Sequence, residues 1–198
     1  MLKPDIHSPN DEDVALAQTG DRAAFGRVMD TFLPMSYRLA YRLLGSSEEA
    51  QDVCQDAFLR VWEHFPTYDR TRAFTAWLST IVTRLAYDRL RSRQRYFSRF
   101  LGGDSGQHYV KSAAAVEPGI VRSSEWAELN TLIISLAGRL PPTQRIVFAL
   151  RDLEDLDVME VAHVTGLSRS SVKANLSYAR RRIREILVRE FHVEDAHT

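Results

Sequence analysis

The chain has 198 residues, room for one mid-sized domain or two small ones, and with 44% hydrophobic and 26% charged residues it has the composition of a soluble globular protein. Its 26 Lys and Arg balance 26 Asp and Glu, so bulk charge gives no reason to expect a nucleic-acid partner. A single cysteine, Cys54, excludes an internal disulfide, and six scattered histidines show no metal-ligand spacing, so neither metal nor cofactor is expected.

The charge is nevertheless sorted along the chain. Over positions 1–21 the acids Asp5, Asp11, Glu12, Asp13 and Asp21 are opposed only by Lys3, whereas between Arg84 and Arg99 six arginines face the single Asp88. No apolar run approaches the roughly 18 residues of a membrane span. The opening MLKPDIHSPN lacks the charged and apolar segments of a signal peptide, so a reducing, cytoplasmic location is expected. No period of about 20 to 50 residues repeats, which excludes a solenoid.

In chain order, positions 13–18 fit one short helix, and Asp21 fits the N-cap of the next, which carries Phe25, Val28, Met29, Phe32 and Leu33. Pro34 is expected to interrupt or kink it. The pattern resumes through Tyr37, Leu39, Ala40, Leu43 and Leu44 and stops at Gly45, a natural helix end. The following helix begins at Ser46 or Ser47, with Glu48 and Glu49 in the first turn where the helix dipole favours negative charge.

That helix has two faces. Ala50, Val53, Cys54, Ala57, Phe58, Val61 and Phe65 cluster as core, which makes Cys54 a small buried hydrophobe rather than a reactive thiol. The other side shows Glu48, Asp52, Gln55, Asp56, Leu59 and Glu63. An acidic surface with an exposed leucine at its centre suits docking onto a basic partner helix, and a merely solvated face explains the acids equally well.

Positions 66–71, with Tyr68, Asp69 and Arg70, read as a loop before a long helix over about 72–95. Its core face is Phe74, Leu78, Ile81, Val82 and Leu85. Trp77, Thr80, Arg84, Tyr87 and Arg91 recur at three, four, three and four residues, a stripe of aromatic, hydroxyl and cationic groups. Single-stranded nucleic acid favours that mixture, since bases stack on rings while arginine neutralises phosphates. The competing explanation for Trp77 alone is the edge of a core.

From about 97 to 119 periodicity fails, and Gly102, Gly103, Gly106 and Pro118 among small polar residues mark a linker. The expected domains are therefore 1–96 and 122–198, joined by 97–121. Helical patterning returns near Ser123 with Trp126, Leu129, Leu132, Ile133 and Leu136, and Pro141 and Pro142 suit the first turn of a helix bearing Ile146, Val147, Ala149 and Leu150.

Positions 157–184, DVMEVAHVTGLSRSSVKANLSYARRRIR, have helix-turn-helix grammar: Val158, Val161 and Ala162 at helical spacing, Gly166 to end the helix, and Ser168 to cap the next. In the second helix Val172, Leu176, Ala179, Ile183 and Leu187 share an inward face. The outward face carries Ser170, Lys173, Ser177, Arg181 and Arg184, with Arg169 and Ser171 at the exposed first turn where a recognition helix meets base edges. An ordinary amphipathic helix with a basic face is the bland alternative. No strand-like alternation of useful length appears, so the expected fold is all-α: two small helical domains and a flexible linker.

Four segments, AFGRVMDTFLPMSYRLAYRLLG, EEAQDVCQDAFLRVWEHFPTYD, FTAWLSTIVTRLAYDRLR and LPPTQRIVFALRDLEDLDVMEVAHVTGLSRSSVKANLSYARRRIRE, cover most of positions 22–188. In this order the chain resembles an extracytoplasmic-function (ECF) sigma factor of the sigma-70 family, which carries only sigma regions 2 and 4. The resemblance implies binding to core RNA polymerase, recognition of a two-element promoter with melting of the minus-ten segment, and no catalytic chemistry. It assigns polymerase docking to Glu48, Asp52, Gln55, Asp56 and Leu59, and minus-ten contacts to Tyr68, Arg70, Phe74, Trp77, Arg84, Tyr87 and Arg91. Minus-thirty-five contacts fall to Arg169, Ser170, Ser171, Lys173, Ser177 and Arg181, with Lys173 or Arg169 favoured for guanine. It also implies an anti-sigma partner.

Two departures from common family choices matter. Arg84 stands where many members have Asn, which leaves phosphate binding there, and Ala174 and Asn175 stand where many have Arg or Ser. The competing class is an autonomous repressor or activator, which has no need of the stripe from Trp77 to Arg91. An enzyme is the third, and it finds no phosphate loop, metal cluster or nucleophile with a paired base.

Overall fold

A computed structural model describes residues 11–71, 73–100 and 124–191. Among these every regular element is helical, in agreement with the all-α expectation. The order is α1 (Asp11–Gln18), α2 (Arg22–Leu44), α3 (Ser47–His64), a 3₁₀ turn (Phe65–Thr67), α4 (Phe74–Phe100), α5 (Ser124–Gly138), α6 (Pro142–Phe148), a π turn (Ala149–Leu153), α7 (Val158–Thr165) and α8 (Arg169–Phe191).

The N-terminal half is a three-helix bundle of α2, α3 and α4, with α1 laid against α2. Asp21 caps α2 through its Oδ1, which accepts from the Ala23 and Ala24 amides at 2.8 and 3.0 Å. Gly45 ends it at φ +67, a left-handed conformation that costs glycine nothing. Ser46 then caps α3, accepting from the Glu49 amide at 3.3 Å. Of the two outcomes expected at Pro34, interruption does not occur: α2 is continuous from Arg22 to Leu44 with Pro34 inside it. Proline removes the amide that would bond to the Asp30 carbonyl, but Asp30 is exposed, so water can satisfy that oxygen. Buried Phe32 and Leu39 on either side hold the two halves of α2 to one core.

The long fourth helix begins at Phe74 and continues to Phe100, four residues past the expected boundary at Tyr96. The rest of the expected linker, positions 101–121, lies outside the described residues. The C-terminal half packs α8 against α6 and α7, with α5 alongside. Asp157 starts α7 with a full capping box: its Oδ1 accepts from the Met159 and Glu160 amides, and Glu160 Oε2 accepts from the Asp157 amide at 2.6 Å. Gly166 closes α7 at φ +72, and Ser168 caps α8 by accepting from the Ser171 amide at 3.1 Å.

The two halves meet. α4 packs on α6 and α7, and the buried Ile146, Val147, Leu150, Val161 and Val164 belong to the same apolar cluster as the cores of α2, α3 and α4. A separate small cluster of Ala137, Leu140, Phe148 and Ala179 holds α5, α6 and α8 together.

Candidate functional site

The third helix sorts its side chains as its periodicity requires. Ala50, Val53, Cys54, Ala57, Phe58 and Val61 are all buried, and Phe65 just beyond the helix is fully so. Glu48, Asp52, Gln55, Asp56 and Leu59 lie exposed on the other side, Leu59 being 62% exposed. Among the large apolar side chains of α3, Leu59 alone lies mostly in water, so it contributes little to the fold. The arginines of α4 shape this face: Arg89 pairs with Asp52 at 3.0 Å and Arg93 with Glu49 at 2.8 Å. Sequence reading noted the arginine cluster but did not foresee that it reaches back to α3.

Burial pushes the Cys54 thiol up to about 11. The folded chain thus holds that proton more tightly than an unfolded one, so this group's contribution to stability is intact below pH 9 and lost as pH rises towards 11. Iodoacetamide at pH 8 is expected to leave Cys54 unmodified in the native protein and to alkylate it fully in denaturant. Rapid native labelling would contradict its burial.

The turn after α3 is built from aromatic rings. Phe65 is fully buried against Phe25, Tyr68, Phe74 and Trp77, with centroids 5.6 to 6.1 Å away. Tyr68 stacks on Trp77 at 4.7 Å and meets Phe74 edge-on. Gln18 fixes the backbone from α1, its Nε2 donating to the carbonyls of Phe65 at 3.2 Å and Tyr68 at 2.8 Å. Nothing in local periodicity marks Gln18, because its partners lie some fifty residues away.

Two of the rings expected to contact bases lie within this cluster. Tyr68 and Phe74 are 8% and 5% exposed, so neither ring offers a face to a base in this conformation. Four neighbouring rings bury more apolar area inward than a lone exposed ring could, which decides where they go. Trp77 is half-buried with one face on Tyr68, and Arg70 lies exposed beside the turn, where Asp69 Oδ1 accepts from the Thr71 amide at 3.0 Å.

Further along α4, Arg84 and Arg91 are exposed and Tyr87 is half-buried. The Arg91 guanidinium sits over the Tyr87 ring, 5.5 Å from its centroid. Charge and stacking surface are thus adjacent, the pairing that single strands favour. The middle of the stripe touches the other half of the molecule. Tyr87 Oη lies 2.8 Å from Thr143 Oγ1 of α6, and Arg84 Nε donates to the Val164 carbonyl of α7 at 3.4 Å.

On α8 the expected reading surface forms one face. Arg169, Ser170, Lys173, Ser177 and Arg181 are exposed and Ser171 half-buried, while Val172, Leu176 and Ala179 point inward. Ser168 Oγ lies within hydrogen-bond reach of both Ser170 Oγ (3.0 Å) and Ser171 Oγ (2.8 Å), tying the first turn together. Arg180 pairs with Asp152 of the π turn at 2.6 Å. Asn175 donates to the Ser171 carbonyl at 2.8 Å, so its amide is already engaged within the helix. Arg181 lies over the exposed Tyr178 ring at 5.3 Å.

Comparison with known proteins decides what these faces belong to. The sigma-70 region 2 model matches residues 28–96 and the sigma-70 region 4 model residues 131–183, together more than half of the chain. The ECF RNA polymerase sigma factor SigW of Bacillus subtilis (strain 168) is 29% identical over 174 residues, covering 85% of this chain and 91% of SigW. The chain belongs to the ECF group of the sigma-70 family. As an ECF sigma factor it binds RNA polymerase and directs promoter recognition for transcription initiation.

Two solved ECF-like folds are similar in architecture. Sigma factor RpoE from Bartonella quintana, solved in complex with the anti-sigma factor NepR, has TM-score 0.61 and 22% identity, covering 84% of this sigma factor and 98% of RpoE. CnrH, solved in complex with the cytosolic domain of CnrY, has TM-score 0.59 and 23% identity, covering 92% and 99%. Sigma factors are non-catalytic regulators of transcription. Among the described residues no helix is long and apolar enough to cross a membrane.

Proposed function

We propose that the three faces divide the work of initiation. The acidic side of α3, centred on Leu59 with Glu48, Asp52, Gln55 and Asp56, docks on core RNA polymerase. Trp77, Arg84, Tyr87 and Arg91 of α4, with Arg70 beside them, hold the unwound minus-ten strand, while Tyr68 and Phe74 support that surface from beneath. Arg169, Ser170, Ser171, Lys173, Ser177 and Arg181 on α8 read the minus-thirty-five duplex. Residues 1–96 and 122–198 carry these tasks as two units, and 97–121 joins them. The protein works in the cytoplasm, beside the polymerase, without catalytic chemistry of its own.

The observation that supports this reading is the exposure of Leu59 on a helix whose other apolar positions are buried, or half-buried in the case of Trp62. The engaged amide of Asn175 and the exposed Lys173 further favour Lys173 as the base reader on α8. Lys173→Ala is expected to cost about 1–3 kcal/mol of promoter discrimination and leave polymerase affinity unchanged. Competition between promoter variants in transcription assays, beside a direct polymerase-binding measurement, checks it. Loss of polymerase binding in that variant would mean that the faces are wrongly assigned.

An anti-sigma factor is the natural regulator, and it acts by covering the polymerase-binding surfaces. The precedent is RpoE of Bartonella quintana, which was solved with such a partner.

A further inference from the structure

Two residues on the outward side of α8, Ala174 and Tyr178, lie outside the reading set assigned above. Ser170, Ala174 and Tyr178 follow one another at four-residue spacing, so they form a single row along the helix. Val172, Leu176 and Ala179 are buried on the other side, which turns that row outward. Ala174 is exposed, and Tyr178 keeps 51% of its surface in water, so neither adds much to the fold. The ring is nevertheless held. The Arg181 guanidinium lies 5.3 Å from its centroid, and Arg181 Nε is in turn 3.8 Å from Glu185 Oε1. Long helical side chains lean towards the N-terminus, so Tyr178 extends over the turn that carries Ala174.

Polar side chains close by are already engaged. Asn175, of a type that recognises adenine, has given its amide to the Ser171 carbonyl at 2.8 Å, and Arg180 Nη2 meets Asp152 at 2.6 Å. The middle of the reading face therefore presents a methyl group and an aromatic ring, flanked by the exposed Lys173, Ser177 and Arg181. In the major groove, apolar groups of this kind recognise the C5-methyl of thymine. We propose that Ala174 and Tyr178 form an apolar reading patch that selects a thymine in the minus-thirty-five duplex, beside the base read by Lys173. The flanking cations hold phosphates and fix the register of the helix, and the patch adds sequence information that charge alone does not carry.

This inference rests on the assignment of α8 to the minus-thirty-five element, and adds to it one base and the two residues that choose it. It also separates the parts of Tyr178: the ring reads the methyl group, and the hydroxyl is dispensable.

Holoenzyme assembled from the full chain and bacterial core RNA polymerase first selects promoters from a library randomised over the minus-thirty-five element. In a selected promoter each thymine of that element, on either strand, is then replaced singly by deoxyuridine. The exchange removes the methyl group and keeps every hydrogen-bonding atom. With the wild-type chain, transcription at subsaturating holoenzyme is expected to fall about fourfold at one thymine, the scale of one methyl group returned to water. Cytosine at that position is read poorly, and 5-methylcytosine recovers part of the loss. Tyr178→Phe keeps the difference between thymine and deoxyuridine. Tyr178→Ala and Ala174→Gln reduce it to under about twofold, because the methyl group then meets no apolar partner. Both positions are exposed, so these variants fold and bind polymerase as the wild type does.

The proposal is overturned if no thymine responds to loss of its methyl group, or if Tyr178→Ala responds as the wild type does. Loss of the difference in Tyr178→Phe overturns it as well, since the hydroxyl would then be the reading group. If scrambling the whole minus-thirty-five element leaves transcription unchanged, the assignment of α8 to that element has itself failed, and the thymine patch falls with it.

Discussion

Replacing Leu59 and Asp56 together by alanine is expected to weaken binding to core RNA polymerase by on the order of 100-fold while leaving the thermal midpoint of the free protein within about 2 °C of wild type. Leu59 is 62% exposed and Asp56 lies on the same exposed face, so neither contributes appreciably to packing in the free chain. At a docked interface the same leucine would be fully desolvated, where anchor residues cost about 2 kcal/mol or more on truncation. Asp52 is less decisive because Arg89 already pairs with it at 3.0 Å, so its removal also releases a cation. Direct titration of labelled protein with core polymerase separates affinity from folding, which circular dichroism follows in parallel. A double variant that binds core normally would move polymerase docking off α3.

The largest effect on stability is expected from Phe65→Ala. Phe65 is fully buried and contacts the rings of Phe25, Tyr68, Phe74 and Trp77. Truncating a buried phenylalanine costs about 3–5 kcal/mol, a large share of the 5–15 kcal/mol that holds a typical protein folded. For a chain of this length that lowers the thermal midpoint by about 10 °C. The consequence reaches function, since the Tyr68–Trp77 stack rests on the Phe65 ring. Below the midpoint the variant should therefore lose minus-ten capture more than polymerase binding, which fork-junction DNA with preformed holoenzyme can measure. A midpoint within a degree or two of wild type would refute the central place given to Phe65.

What the sequence revealed and what it concealed follow from range. Features set within one or two turns were legible: the Asp21, Ser46 and Ser168 caps, the glycine stops at Gly45 and Gly166, and the two faces of α3. Each depends on a few neighbouring residues. Pro34 misled because local propensity disfavours a helix there, whereas α2 is held on both sides of it by the packing of Phe32 and Leu39. The burial of Tyr68 and Phe74 was hidden for a different reason, since an aromatic ring serves equally well as core or as stacking platform. Only the three-dimensional neighbourhood chooses between those two roles. Gln18, Arg89 and Arg93 act across 37 to 50 residues of sequence, and no periodic pattern carries that information. The contact between the two halves was likewise invisible: Arg145, Thr143 and Glu154 are unremarkable in their own helices and gain meaning only against α2 and α4.

The central claim is that this chain gives core RNA polymerase a promoter preference that neither has alone. In vitro transcription with bacterial core polymerase and a promoter library, with and without the protein, measures that directly. The account predicts transcripts from a restricted set of two-element promoters only when protein and core are combined, and no tight sequence-specific duplex binding by the protein alone. Tight, specific duplex binding by the isolated protein with no polymerase-dependent transcription would contradict it.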